Sequence, residues 1–594
     1  MSNRIGVSLL TLPVEFVYRI LDHQNEYTIL CSMRNVCQRL DIIVNGYYQY
    51  QPVITLDFFG SNLDDIQAQR LAVALRHNTS ITLLDLAYNN IRNTGIEKLA
   101  GVLNSNQTVI TTLCLDSNDF TTAGLNHLAT ALHDNKTLTF LRLASNSLED
   151  VDAQHLSNAL RQNKVLTILK LQDNRIGDTG AKYLANALEN NTTLTTLDLT
   201  ENVITDVGVQ DLAEALHKNK TITALYLESN NITCTGAQYL ANVLNDSTSL
   251  TLLNLRKNSI ETDGIRYIAD ALQNNTVLAE LYLGFNLVAD DGVKHLTEAL
   301  QNNTTLIVLD LANAYIRVKG AQYLADLLIS DSTKLRKLYL KNNFVEDVGS
   351  QHLANVLLSN TTLTLLDLQT NEIGVDGIQY LANALRKNRT LEIFDSANNQ
   401  FGTVGIQYLA DALHENTTLL RLHFEENGVD DLGAQYLANT LHVNRTLTVL
   451  SLSNENIGDD GAVSLARALL YNKTLTILDL RNCQIQDKGA QQFAEALRKN
   501  TTLEKLNLGG NRITDVGAQH LADALHMNTT LNTFLIGSNP FGHHGAHRLA
   551  DALCNNLKLI RLDLRNIMTN DNILRMLFEI TLMEIDAHES SVYE

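Results

Sequence analysis

The chain has 594 residues, with 45 Lys and Arg against 65 Asp and Glu, for a formal net charge of −20. A surface of that sign repels phosphate backbones and anionic lipid, so neither nucleic acid nor a membrane is expected as a partner. Hydrophobic residues make up 45%, enough for a buried core, yet no apolar run of about 18 residues occurs to span a bilayer. Met1–Leu10 lacks a basic start followed by an apolar stretch, so secretion is not expected. Cys31, Cys37, Cys114, Cys234, Cys483 and Cys554 stand without paired spacing, which indicates neither a disulfide framework nor a zinc site. The expected setting is a reducing one, the cytoplasm, with the nucleus also open.

The first predicted element is a small all-α segment over residues 1–52. It holds four Lys/Arg and four Asp/Glu, so the rest of the chain carries the whole acidic excess. Apolar residues fall at helical spacing, Pro13 opens the first helix, and Pro52 marks the end of the segment. The order Leu12-Pro13-Val14-Glu15, Ile20-Leu21, Ile29-Leu30 and Val36-Cys37-Gln38-Arg39 resembles an F-box. That resemblance implies docking onto the adaptor of a cullin-RING ubiquitin ligase through Leu12, Pro13, Ile20, Leu21, Leu30 and Val36. Gln24 stands where a leucine is usual in that family, and Leu40 where tryptophan is common. The other reading of the same residues is a helical cap over the open end of a repeat array.

From residue 53 to 586 a unit of 28 residues recurs, in 19 copies with divergent ends. Aligned on the first leucine of Leu-Asp-Leu, the register runs from Leu56 and Leu84 to Leu562, with spacing 29 only before Leu113 and Leu338. In the unit Leu194–Lys220, Leu194, Leu197 and Leu199 alternate with Thr196 and Asp198, the period of a strand with one buried side. Asn202 comes next, matched by Asn in 14 of the 19 units, and is expected to bond the backbone of neighbouring turns. Gly208, matched in 16 units, is read as the point where the chain turns into its helix. Val209, Leu212, Ala213 and Leu216 then give an amphipathic helical stripe. Breaks are expected at Ala314 and Glu455 (for Asn), at Asp152 (for Gly) and around residues 310–335. Asn-x-Thr/Ser at Asn191, Asn360, Asn416, Asn500 and Asn528 is read as a left-handed helix end, not a glycan acceptor. Residues 587–594 form a short tail.

These units carry the leucine-rich-repeat signature, and their length and helix-strand alternation resemble the ribonuclease-inhibitor class, which includes NOD-like receptors and the Ran GTPase-activating protein. The resemblance implies an α/β leucine-rich-repeat solenoid, a horseshoe with a parallel sheet on its concave side and helices outside, preceded by the small all-α unit. Such an array is a surface for gripping another macromolecule.

No phosphate-binding loop, nucleophile elbow or H-E-x-x-H motif appears along the chain, so neither enzyme activity nor a cofactor is expected. His543, His544 and His547 read as a surface cluster, not a metal site. The position after the strand leucine runs from Asp57 and Asp85 through Asp310, Asp367, Asp395, His423 and Asp479 to Asp563. Tyrosines gather in its middle. A protein partner is expected there, on the concave face, at Tyr226, Glu228, Arg256, Tyr282, Phe285, Tyr339 and Lys341, because Tyr and Arg dominate binding energy at interfaces. Exposed strand positions also favour Tyr for its β-propensity. The favoured reading is a substrate receptor of a cullin-RING ligase. The alternatives are a regulatory or inhibitor-type binder related to NOD-like receptors and, less favoured, a Ran-type GTPase activator.

Overall fold

The computed structural model describes residues 54–567, apart from 77, 105–107, 330–332 and 557. The F-box-like residues Leu12 to Val36, the stretch 568–586 and the tail 587–594 lie outside the described residues. The described chain forms two units, divided between Asn258 and Ser259.

In the first unit, eight strands from Thr55–Asp57 to Leu252–Asn254 alternate with seven helices from Asp65–Leu75 to Cys234–Asp246. The strands are parallel, each pairing with the next leucine on leucine: Leu56 with Leu84, Leu84 with Leu113, and so to Leu225 with Leu253. The second unit repeats the scheme with eleven helices, Thr262–Leu272 to His543–Asn555, and eleven strands, Glu280–Tyr282 to Arg561–Asp563. Its register runs from Leu281 with Leu309 to Phe534 with Leu562. The one-residue insertion before Leu338 leaves this pairing intact, since Leu309 still opposes Leu338. Each strand is only three residues long. Its central leucine and the helix stripe are buried, as with Leu197, Leu212 and Ala213, so the core lies between sheet and helices.

Asparagine holds one unit to the next in two separate rows. Asn202 Nδ2 donates to the carbonyls of Leu171 (3.0 Å) and Leu199 (3.1 Å), and its Oδ1 accepts from Ile176 N–H at 3.0 Å. The residue before it, Glu201, is left-handed at φ 53°, and the equivalent residue is left-handed in all nineteen units, from Gly60 to Asn566. That turn aims the amide into the solenoid, and the bonds offset the strain of a left-handed side-chain residue, about 1 kcal/mol.

The second row overturns the reading of the Asn-x-Thr/Ser sites. Asn219, Asn388 and Asn444 end helices in extended geometry, φ −72°, −61° and −64°, not in the left-handed region. Asn191 Nδ2 donates to Leu160 O at 2.8 Å, while Oδ1 accepts from Thr193 and Leu194 N–H. The nitrogen a glycan would need is buried and committed to the neighbouring unit.

The glycine stands where the chain enters its helix, and its cause is steric. Gly208 sits at the third position of the helix Asp206–Lys218 without positive φ. A Cβ there would lie 2.8 Å from Ile204 Cγ2 and 2.7 Å from Asp178 Oδ1. Asp178 opens the preceding helix, and its Oδ1 accepts from Thr205 and Gly208 N–H at 2.8 and 2.9 Å, so this helix caps the next. Ten aspartates and Asn93 accept in this way from the glycine one unit ahead. Negative side chains at helix N-termini are stabilising, which gives part of the acidic excess a structural cause.

Candidate protein-binding face

Residues either side of each strand leucine point away from the helices and form the open face of the sheet. The aspartates that recur there first serve their own chain. Asp367, Asp395 and Asp479 each accept from the N–H two residues on, at 2.9, 3.0 and 2.9 Å, and so terminate the strand. In the first unit, Asp85 and Asp198 do the same. There Arg142 is paired with Asp116, and burial pushes the neighbouring Cys114 thiol up to about 12.

Of the residues expected to bind a partner, Tyr226, Glu228 and Arg256 fall in the first unit. Tyr226 stands between Asp198 and Asn254 on adjacent strands. Glu228 accepts from Asn254 Nδ2 at 3.1 Å and faces Lys257 Nζ at 3.7 Å. The second unit holds Tyr282, Phe285, Tyr339 and Lys341. Tyr282 donates its hydroxyl to Glu280 at 2.7 Å, and Tyr282 and Tyr339 flank the buried Asp310. Phe285 is not a strand residue. It occupies the left-handed turn at φ 58° with 37% of its surface exposed.

Lys341 leads into a set that the sequence did not single out. With Gln369, Asp395, Asn398, His423 and Glu425 it lines a groove of about 310 Å³. Burial pushes the Asp367 carboxyl up to about 7, and the carboxylate of Asp395 on the next strand raises it further. Asp395 rises to about 6, again chiefly through burial. Burial would lower the His423 imidazole, but the Glu425 carboxylate 3.7 Å away and nearby Asp395 outweigh it and hold it above its ordinary value. Glu425 is lowered, because bonds from His423 and Ser451 outweigh its burial. The groove thus sets the Lys341 cation among the Asp395, His423 and Glu425 side chains, an arrangement suited to a polar or cationic side chain. Asp367, Asp395 and His423 lay in the row that the sequence enumerated. Glu425 was findable by extending the row to the residue two positions on, since alternate residues share a face.

Elsewhere, the His543 and His547 rings stand edge to face with centroids 4.6 Å apart. Among the described residues no group of His, Cys, Asp and Glu is placed to hold a metal ion, and no helix is long and apolar enough to cross a membrane.

A buried-leucine strand, an asparagine turn and a helix, recurring in parallel register, define a leucine-rich-repeat solenoid of the α/β class. Comparison with known families agrees. The Leucine Rich repeat family matches residues 77–100, 162–185, 190–213, 218–241, 246–269, 359–382, 415–438 and 443–466, and the TMOD/LMOD Leucine-rich domain matches residues 455–571. Among solved structures, an internalin (inlF) from Listeria monocytogenes str. 4b F2365 is similar at 22% identity, over 64% of this chain and 89% of that one, with a TM-score of 0.38. A search of curated proteins finds no match. Leucine-rich repeats of this kind make a protein-binding scaffold.

Proposed function

We propose that this chain is a non-enzymatic binding scaffold of the cytoplasm or nucleus that selects a protein on the open sheet face and is tethered through residues 1–52 to a cullin-RING ubiquitin ligase. The observation that carries the binding reading is the pre-set order of that face. Tyr282 is held by Glu280, and the Lys341 groove is lined by side chains already bonded to one another. Pre-organised aromatic and charged side chains bind with little ordering entropy left to lose. Tyr226, Glu228 and Arg256 in the first unit, and Tyr282, Phe285, Tyr339 and Lys341 in the second, are the proposed contacts. The tether rests on the F-box-like order of Leu12, Pro13, Ile20, Leu21, Leu30 and Val36.

Affinity purification with mass spectrometry tests both halves, comparing the full chain with one that starts at Pro52. A ligase adaptor lost on truncation, and lost with Leu12→Ala plus Pro13→Ala at unchanged melting temperature, is the expected result. Recovery of no ligase component by the full chain would overturn the tether. The departures Gln24 and Leu40 favour a second reading in that case, a regulatory or inhibitor-type binder related to NOD-like receptors, ahead of a Ran-type GTPase activator. A partner retained by Tyr339→Ala with Lys341→Glu would overturn the face.

A further inference from the structure

The second unit divides its charge along the strand direction. Carboxylates such as Asp367, Asp395 and Asp479 stand where the strands end, while the opposite edge, where they begin, is basic. Take the five residues that close on the first residue of each strand from Lys337–Tyr339 to Arg561–Asp563. These nine segments hold ten Lys and Arg against two Glu, in a chain whose net charge is −20. The strands are parallel and in register, Lys337 opposite Leu365 and onward to Thr533 opposite Arg561, so the segments line one continuous edge.

Two grooves open on that edge. Lys334, Arg336 and Arg389 line one of about 600 Å³ with Thr362, Thr364 and Leu420, and Lys473 and Lys558 line the other, of about 580 Å³. Lys334, Arg336, Arg389, Lys473 and Lys558 are all exposed. Arg389 is positioned by bonds from its guanidinium to the carbonyls of Arg386 and Asn388, at 3.0 and 2.9 Å, rather than neutralised by a carboxylate. Exposed apolar residues interrupt the cations: Leu420 at 38% and Ile560 at 71%.

The geometry points to this edge as a docking surface for an extended acidic segment of a partner protein, its Asp and Glu side chains meeting the cations and its apolar side chains meeting Leu420 and Ile560. Charge complementarity sets the class of partner. A cationic strip on a strongly acidic body selects anions locally while the body repels long polyanions. A single-stranded nucleic acid would need aromatic platforms for its bases, and these nine segments contain no Phe, Tyr or Trp. The edge borders the open face at the first strand residues Lys337, Arg421, Lys505 and Arg561, while the groove cations Lys334, Arg336, Arg389, Lys473 and Lys558 lie before the strands, and the inference does not depend on a partner being bound on the open face.

Fluorescence anisotropy with the full chain tests it. The probes are a labelled peptide of alternating Glu and Leu, its Lys-Leu counterpart, and a single-stranded oligothymidylate of equal charge. The Glu-Leu peptide is expected to bind and to weaken with added salt. Arg336→Glu with Arg389→Glu should reduce its affinity by at least about tenfold at unchanged melting temperature, because both side chains are exposed. Lys341→Glu, on the open face, should leave it unchanged, which separates this surface from the proposed partner face. Failure of the Glu-Leu peptide to bind, equal binding of the Lys-Leu peptide, tighter binding of the oligothymidylate, or indifference to the paired reversal would each overturn the proposal.

Discussion

The unit around Gly208 and the unit around Asp152 start their helices with opposite chemistry at one place. In the first, Thr205 accepts from Val207 N–H, but the Thr205 and Gly208 N–H groups are met from outside, by Asp178 of the preceding helix, and the third helical residue is glycine. In the second, the helix closes its own end. Glu149 and Asp152 form a capping box, with Glu149 N–H donating to Asp152 at 2.8 Å, and the preceding helix opens with Thr122 in place of an aspartate. The unit around Gln67 also caps itself, through Asp64. The unit around Gly433 caps itself as well, through Asp430, yet keeps its glycine behind Val429. The two self-capping units without glycine share a further difference four residues before the third helical position. They carry Leu148 and Leu63, where Gly208 comes after the β-branched Ile204. Ile204 Cγ2 fills the place of a glycine Cβ, and leucine has no such atom. Glycine is therefore required by its neighbours, not by backbone conformation. What it provides is a cap shared between units, and so coupling along the array.

The largest expected effect comes from forcing one arrangement on the other. Gly208→Asp places a side chain against Ile204 and a second carboxylate beside Asp178, so urea unfolding should show a loss of about 3 kcal/mol or more. Adding Ile204→Leu and Asp178→Thr, which copies the Asp152 unit, should recover most of that loss. A triple variant as unstable as the single one would show that the two arrangements are not interchangeable.

The period, the strand and helix stripes, and the asparagine turn were all legible, because each derives from which residues must be buried every 28 positions. The glycine was legible in position but not in cause. Its cause lies in residues four earlier and one unit earlier, and only the paired exceptions at Leu63 and Leu148 carry the signal. The Asn-x-Thr/Ser row failed for a related reason. A second inter-unit row looks the same in sequence as a series of helix ends. On the open face, tyrosines drew the eye, while the aspartates that close the strands, and the Glu425–His423 pair among them, depend on spacing across the sheet.

A second prediction contrasts the asparagine row where it is intact with its break. Asn399 Nδ2 donates to Leu368 and Ser396 carbonyls and its Oδ1 accepts from Asn371 and Ile373 N–H. Glu455 keeps only the accepting half, from Asn427 and Val429 N–H at 2.7 Å, and burial pushes its carboxyl up to about 7. Glu455→Asn restores the donor and removes a buried charge, so it should stabilise by about 1–2 kcal/mol at pH 8. The gain should shrink as the pH is lowered and Glu455 takes up a proton. Equal gains at pH 8 and pH 5, measured by urea midpoint, would argue against a buried carboxylate as the cause.

The smallest expected effect concerns the acidic row itself. Asp367, Asp395 and His423 all have folded pKa values above their ordinary ones. A group raised in the folded state contributes stability that is complete below its unfolded pKa and is lost as pH rises through its folded pKa. All three therefore act in one direction. The contributions of Asp395 and Asp367 are lost from about pH 4 up to about 6 and about 7, and that of His423 above its ordinary 6.5, so stability should fall as the pH rises from about 4 to above 7. The lowered Glu425 acts oppositely only at the acid end of this range. Asp395→Asn removes the carboxylate shared by Asp367 and His423. It should flatten the melting temperature against pH over this window and, by relieving its neighbour, draw Asp367 back toward the ordinary carboxylate range. His423 should move in the same direction, titrating lower because it loses an anionic neighbour. Proton titration of the His423 ring by NMR reads that shift directly. An unchanged His423 titration in Asp395→Asn would mean the row is screened strand from strand, and that the groove beside Lys341 does not act as one electrostatic unit.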